Sequence, residues 1–437
     1  MHIEDMVKGK RLLMLGATGY FCEAVKQAKS LGIYTIVTDY FPNSPAKRIA
    51  DSAYDISTTD IDALEQMAII EQIDGIFVAW SDINHYIAEE LCRRLHLPFY
   101  ATREQLYRFT NKRAFKDYCR KCGVPTVPEF RLTEKMLPED MAGLQYPIII
   151  KPTDSYSGKG ITICSSESEV ADAVREALSN SRSREFLAEK YMDDTNYDTV
   201  GIYYTIQNGV AALSSMTDRC MSEFTNKKRL NTAIFYPSQY LDRYIREVDP
   251  LVKNMLHQSD IKNGVIFFEG CVNQNGFTLW ESGFRLCGAQ QNIFPAYINQ
   301  IDSQKMLLCH ALTGQMADKD LIAREDPYFK GKSACNGLVF LNTGKIKKIE
   351  GIEEILEMPG LLNFTQLKQT GDTVRVEDIG TLNQSFARFH AVANSRSELC
   401  TLVEQIFSKL LVCDEQGHNM CLHIYDFESI NKAKRWK

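Results

Sequence analysis

Lys151 closes the apolar run Tyr146-Pro147-Ile148-Ile149-Ile150, and Ser155-Tyr156-Ser157-Gly158-Lys159-Gly160 follows before a second short apolar run. Small residues let backbone amides approach polyphosphate, and a lysine at each end neutralises it. The Walker spacing Gly-x-x-x-x-Gly-Lys-[Ser/Thr] is absent, and taken alone these residues describe a flexible hairpin loop equally well. A second pattern lies at Glu269 and Glu281, which follow apolar runs and flank the turn Gln274-Asn275-Gly276. An Asn-Gly pair is a hairpin signal, so the two carboxylates fall on neighbouring strands. Two acids converging on one face suit Mg²⁺, which takes carboxylates together with phosphate oxygens. Arg285, four residues beyond Glu281, can hold a carboxylate or acyl phosphate through two parallel bonds. The competing reading is a structural Glu–Arg pair.

Two other constellations carry less. Gly16-Ala17-Thr18-Gly19 follows an apolar run, and Asp39 closes the next one. A dinucleotide fingerprint needs glycines at the first, third and sixth positions, but Thr18 and Phe21 occupy the last two. A tight strand-to-helix turn is the better reading. Cys119 and Cys122 form a close pair with no second pair to complete a zinc site, and they read as the end of a helix stopped by Gly123.

The elements that must position these residues follow from periodicity. Apolar runs at 11–15, 33–38 and 73–80 alternate with helical patterns at 19–30, 61–72 and 83–95, which predicts a parallel, doubly wound sheet. A helix over 111–122 precedes Gly-Val-Pro-Thr-Val-Pro at 123–128, where two prolines mark a boundary. Strands are expected at 146–152, 161–164, 186–192, 198–206, 264–273 and 277–281, with helices at 167–178 and 237–258. The stretch 220–231 is poorly patterned. Beyond Leu312 short β-like runs mix with helical stretches at 352–358 and 397–411, a third, α+β unit.

The chain has 437 residues, with 44% apolar and 24% charged residues and a net charge of −6. That length implies two to four domains, and the composition argues against disorder. The mild acidity gives no general attraction to nucleic acid or an anionic membrane surface. No apolar run approaches the roughly 20 residues of a membrane span, and residues 1–10 lack a signal-peptide segment. Thirteen scattered cysteines then read as reduced, buried thiols of a cytoplasmic protein.

Read together, the motifs resemble the ATP-grasp superfamily of carboxylate–amine ligases. The order is a Rossmann-like region, Asn111-Lys112 opening a helix, Tyr146 to Pro152 with its loop, and Phe186-Leu187-Ala188-Glu189-Lys190-Tyr191-Met192. Phe268-Glu269-Gly270, Leu279-Trp280-Glu281-Ser282-Gly283-Phe284-Arg285 and Arg388-Phe389-His390-Ala391-Val392-Ala393 follow. The resemblance implies a Rossmann-like pre-ATP-grasp domain over 1–108, an ATP-grasp domain over 109–312 with a lid subdomain at about 125–188, and a C-terminal α+β domain over 313–437. It implies that Lys112 and Lys151 contact ATP phosphates and that Ser155, Ser157, Gly158, Lys159 and Gly160 form a lid. Glu189, Lys190 and Met192 would meet the adenine, largely through backbone groups. Glu269 and Glu281 would hold Mg²⁺, or Mn²⁺ in its place, and Arg285 would face phosphoryl transfer. The implied reaction activates a carboxylate as an acyl phosphate, releases ADP and joins the acyl group to an amine.

The family's metal strand usually reads Glu-x-Asn-x-Arg, whereas Gly283 stands here in place of the Asn, leaving Ser282 or Asn292 to supply a ligand. Asp82, Asn84 and His85 lie at a carboxyl end of the first sheet, where ligands bind, although a helix N-cap at Ser81 or Asp82 explains them as well. Asp218-Arg219 and Lys227-Lys228-Arg229 are candidate contacts to phosphates or an anionic substrate, and His390 reads as structural. Three functions stay open: a ligase acting on small-molecule carboxylates and amines, amino-acid-like and commonly homodimeric in the family; a bicarbonate-using enzyme; and a non-catalytic nucleotide-binding module.

Overall fold

A computed structural model describes residues 2–155, 159–193, 196–225 and 229–425, with Arg229 described by its backbone alone. Ser157 and Gly158 of the loop, and Lys227 and Lys228 of the basic stretch, lie outside the described residues. Strands β1 (Arg11–Leu15), β2 (Tyr34–Thr38), β3 (Ser52–Tyr54) and β4 (Gly75–Phe77) form a parallel sheet in the order β3-β2-β1-β4. Alternate β1 residues serve different cores. Leu12 and Met14 pack with Phe21, Val25 and Leu308, while Leu13 and Leu15 pack with Leu64, Met67 and Leu91. Both faces are thus covered by helices, as a parallel sheet requires. The β4 strand is shorter than the run 73–80 predicts, because Trp80 turns the chain out of the sheet at a φ of 59°. Ser81 then caps the helix Asp82–Leu95 by accepting the Asn84 N–H.

Gly16 turns the chain after β1 at a φ of 131°, and a Cβ there would lie 2.5 Å from the Phe21 ring. Asp39 accepts the Phe41 N–H at 2.8 Å. The glycine is explained by the turn and its packing, in line with the reading that sets a dinucleotide fingerprint aside.

A second sheet, ordered β5-β8-β6-β7, comprises β5 (Glu129–Phe130), β6 (Ile148–Pro152), β7 (Thr162–Cys164) and β8 (Phe186–Lys190). The helix Val170–Ser179 covers it with Val170, Ala173, Val174, Ala177 and Leu178. Their i, i+3, i+4, i+7, i+8 spacing makes one apolar stripe. Each fully buried Val or Leu contributes about 1.5–3 kcal/mol.

The third sheet has eight strands among the described residues, ordered β13-β12-β9-β10-β11-β14-β19-β17, and all its pairs are antiparallel. These are β9 (Asp198–Gln207), β10 (Val210–Glu223), β11 (Arg229–Tyr236), β12 (Gly264–Asn273), β13 (Gly276–Gly283), β14 (Ser333–Phe340), β17 (Leu361–Gln366) and β19 (Ser385–Ala393). Two ribbons complete the set: β15 (Gly344–Lys345) with β18 (Thr373–Val374), and β16 (Lys348–Glu350) with β20 (Leu411–Cys413).

Two expectations change, and two helices are new. The poorly patterned stretch falls largely on β10 and β11, whose half-buried outer part and bulge at Cys220/Met221 erase the alternation. The long helix over 237–258 is two, Leu241–Glu247 and Asp249–Gln258, because Val248 leaves helical geometry and Pro250 opens the second. The helices Arg103–Thr110 and Ser303–Thr313 carry no reading from sequence. The second is buried almost all round, so it lacks an amphipathic stripe.

None of the thirteen cysteines is in a disulfide, and Gly123 ends the helix bearing Cys119 and Cys122 in the left-handed region. No described helix is long and apolar enough to cross a membrane.

Candidate active site

The β12–β13 hairpin places Glu269 directly opposite Glu281 in register. Directly opposed residues point to one face, so the two acids converge as their spacing predicts. They are not held alike. The Arg219 guanidinium on β10 donates to Glu269 at 2.6 Å. Burial alone would raise the Glu269 carboxyl, but Arg219 and then Arg285 outweigh it and hold it below the usual range. Glu281 is about two-fifths exposed and lies 3.7 Å from the Lys112 ammonium.

Lys112 opens the helix Lys112–Cys122, whose N-cap Asn111 accepts from the N–H groups of Arg113 and Ala114. The Lys112 N–H donates to the Thr153 carbonyl at 3.0 Å, and its ammonium to the Ser155 carbonyl at 2.5 Å. One side chain therefore connects the start of the small-residue loop to the acid pair. Lys159 and Gly160 form the described far end of that loop, the first exposed and the second buried.

Lys151 on β6 is buried and lies 2.7 Å from one carboxylate oxygen of Glu189 on β8. Burial is the main reason its pKa falls to about 8. The other Glu189 oxygen is held by Lys116, one turn beyond Lys112 on the same helix. The Glu189 carboxylate is thus engaged by two lysines rather than presented to a ligand. The Lys190 N–H donates to the Pro128 carbonyl at 3.0 Å; its side chain is exposed, and Met192 is half-buried.

Arg285 lies beyond the end of β13 and grips Asp82 with two bonds, Nε to Oδ1 at 2.6 Å and an Nη to Oδ2 at 2.9 Å. Burial would raise the Asp82 carboxyl, but Arg285 keeps it below its usual value. Neither acid of the hairpin forms an ion pair with Arg285: Glu269 pairs with Arg219, and Glu281 approaches Lys112. The Glu–Arg pair weighed from sequence exists with a different arginine.

Gly283 stands opposite Phe267 in register, and a Cβ there would lie 2.4 Å from the Phe267 ring. The ring fills the side-chain space, and the Arg285 guanidinium lies 5.2 Å above it. Ser282 donates its hydroxyl to the Phe109 carbonyl at 2.7 Å, which engages its proton elsewhere. The Asn292 side-chain oxygen is buried with no hydrogen-bond partner among the described residues, an orphan compatible with a ligating role. Among the described residues no cluster of three or more His, Cys, Asp or Glu exists to hold a metal by itself. Two acids plus phosphate oxygens, the set that suits Mg²⁺, is the arrangement present.

Of the other candidates, Asp218 accepts from Ser238, the Gln239 N–H and Arg396, a structural role. His390 is fully buried, and burial drives its pKa to about 3. Asn84 donates to the Leu15 carbonyl at 3.1 Å, and His85 bonds the Ser81 carbonyl. A cleft of about 800 Å³ opens beside the cluster, lined in part by Asp82, Tyr86, Lys112, Ser155, Glu281 and Ser282. Its size is that of a small-molecule site.

Lys116 escaped the reading of the sequence. Its signal was there: Lys112, Phe115, Lys116 and Cys119 fall on one buried helix face, and a lysine inside such a stripe is rarely tolerated unless paired.

Residues 111–248 match the family model described as carbamoyl-phosphate synthase L chain, ATP binding domain. The chain is 31% identical over 185 residues to formate-dependent phosphoribosylglycinamide formyltransferase of Bordetella parapertussis. That match covers 39% of this chain and 43% of the relative, so it spans less than half of the relative's length. Among solved structures, L-amino acid ligase from Bacillus licheniformis superposes with a TM-score of 0.75 at 16% identity, over 93% of this chain and 99% of that one. The biotin carboxylase domain of the Hydrogenobacter thermophilus 2-oxoglutarate carboxylase, in complex with MgADP and bicarbonate, gives 0.74 at 16% identity, over 92% and 90%. The chain has the ATP-grasp fold. The resemblance carried by the motifs is borne out at that level, and the matched ATP-binding model covers the helix of Lys112, the β5–β8 sheet and strands β9 to β11.

Proposed function

We propose that the protein is an ATP-dependent, ADP-forming ligase that activates a small, amino-acid-like carboxylate as an acyl phosphate and joins it to an amine. The observation that carries the reading is Lys112, whose ammonium touches the Ser155 carbonyl and lies 3.7 Å from Glu281, which is itself paired in register with Glu269. Cations and paired acids at one point are what the transfer of a phosphoryl group between oxygens requires.

In this reading Lys112 and Lys151 bind and neutralise the ATP phosphates. Glu269 and Glu281 would hold Mg²⁺ or Mn²⁺, which when bound supplies further neutralisation of phosphate charge. The loop from Ser155 to Gly160 closes over the phosphates and excludes water. Arg285, oriented by Asp82, stabilises negative charge on the transferring group. The substrate carboxylate attacks the γ-phosphorus and ADP leaves; the amine then attacks the acyl carbon and phosphate leaves. The carboxylate enters through the cleft beside Lys112 and Glu281. The matched formyltransferase and the L-amino acid ligase are named for reactions of this kind, which supports the class. The biotin carboxylase neighbour is a dimer, and a cytoplasmic homodimer with small-molecule partners belongs to the same proposal.

The test is release of ADP and phosphate from Mg-ATP with pooled amino acids and small carboxylates, with and without bicarbonate. Release that depends on an amine pool is expected. Release that needs bicarbonate alone selects the carboxylase reading, which the bicarbonate-bound neighbour favours. ATP binding without release under any pool overturns the ligase.

A further inference from the structure

Lys116 has no exposed side-chain surface, Glu189 has 1% and Lys151 has 7%. The three form a buried chain of alternating charge, with one Glu189 oxygen on Lys116 and the other on Lys151. Glu129 sits opposite Glu189 across β5 and β8, but Arg113 and Arg120 hold its two oxygens. Glu189 is therefore the acid shared by the two lysines. Burying an ammonium is costly unless it is compensated, and the neighbouring positions Phe115 and Cys119 show that apolar side chains fill this helix face. Packing alone does not call for a lysine here.

The charge count supplies a reason. Burial pulls the Lys116 pKa down, and the Glu189 carboxylate in contact with it favours the charged form. With both lysines charged, two ammoniums and one carboxylate leave a net positive charge at the Lys151 end. Without Lys116, Glu189 would pair with Lys151 alone and cancel the charge that a phosphate must meet.

We propose that Lys116 is a positioning residue for the nucleotide: by supplying the positive charge that balances Glu189, it keeps the charge of Lys151 available to an anionic phosphate. The inference rests on the ATP-dependent reading above and adds to it a residue two contacts removed from the ligand. Lys116 acts through Glu189 and touches no substrate.

The experiment measures the Kd for Mg-ATP by calorimetry on the full chain, for the wild type, K116M, E189Q and the K116M/E189Q double variant. K116M is expected to weaken binding about tenfold, equivalent to about 1.4 kcal/mol. The double variant is expected to return within about threefold of wild type, because removing the carboxylate frees Lys151 again. A structural role for Lys116 predicts instead that the double variant binds no better than K116M. That outcome, or wild-type affinity in K116M, overturns the inference. K116Q keeps a donor for Glu189 without the charge; it is expected to weaken binding as K116M does and carries the test if K116M fails to fold. A wild-type protein that binds no Mg-ATP overturns the ligase reading itself, and is distinguished from the other outcomes by that first measurement.

Discussion

The Arg285 guanidinium lies across both carboxylate oxygens of Asp82, at 2.6 and 2.9 Å, although 203 residues separate them. The pair joins the end of the hairpin that carries the two acids to the first turn of a helix on the parallel sheet. It is three-quarters or more buried on both sides.

Asp82→Asn is expected to destabilise the protein by about 2–3 kcal/mol, since it leaves a guanidinium partly buried without its counter-charge. The D82N/R285M double variant should lose less than the two single losses added together. Urea midpoints of the four proteins check the coupling, and strict additivity would show that the contact does not hold the two elements together.

Glu281 is partly exposed and its ion pair with Lys112 is long, so Glu281→Ala should unfold within about 0.5 kcal/mol of wild type. Turnover of Mg-ATP should fall by roughly 100-fold or more. Near-normal turnover in a folded variant would remove Glu281 from the metal assignment.

Lys151 has a pKa of about 8, lowered from the ordinary lysine value mainly by burial. Below that pH it is charged and able to meet a phosphate; above it the charge is lost. ATP affinity should be flat to about pH 7.5 and about tenfold weaker at pH 9. Lys151→Arg, which stays charged, should abolish this slope even if it changes the affinity itself. An unchanged slope in that variant would assign the titration to another group.

Gly283→Asn, which installs the residue common in the family, should not improve the site. Its Cβ meets the Phe267 ring at 2.4 Å, and overpacking of this kind costs about 1–3 kcal/mol. F267A/G283N should be less destabilised than the two single changes together, as thermal unfolding would show.

Glu325 accepts from Ser214 at 2.7 Å and from Asn299 at 3.3 Å, and burial raises its pKa to about 7. The folded state keeps a proton there that the unfolded state releases near the ordinary carboxylate value. Its contribution to stability is full below that value and is lost as pH rises through about 7. The wild type should lose about 3 kcal/mol relative to E325Q between pH 4 and pH 8. Denaturant unfolding of the two proteins across that range reads the difference, and parallel curves would contradict it.

Local patterning in the chain is enough to specify the parallel sheet, the hairpin at Asn275 and the pairing of Glu269 with Glu281. Each rests on local period or turn chemistry that neighbouring residues carry on their own. It also determined the helix that Lys112 opens and the strand that Lys151 ends. The helix Ser303–Thr313 and the outer half of the β10–β11 ribbon could not be read this way, since burial on all sides and partial exposure each remove the period that marks an element. The charge partners come from the assembled fold. Arg219 reaches Glu269 from β10, Arg285 reaches Asp82 from beyond β13, and Lys116 shares Glu189 with Lys151 across two elements. A charge at one position does not say which opposite charge will meet it. Only the register of the sheets and the placement of the helices bring the two within reach and out of water, where their pairing is strong enough to matter.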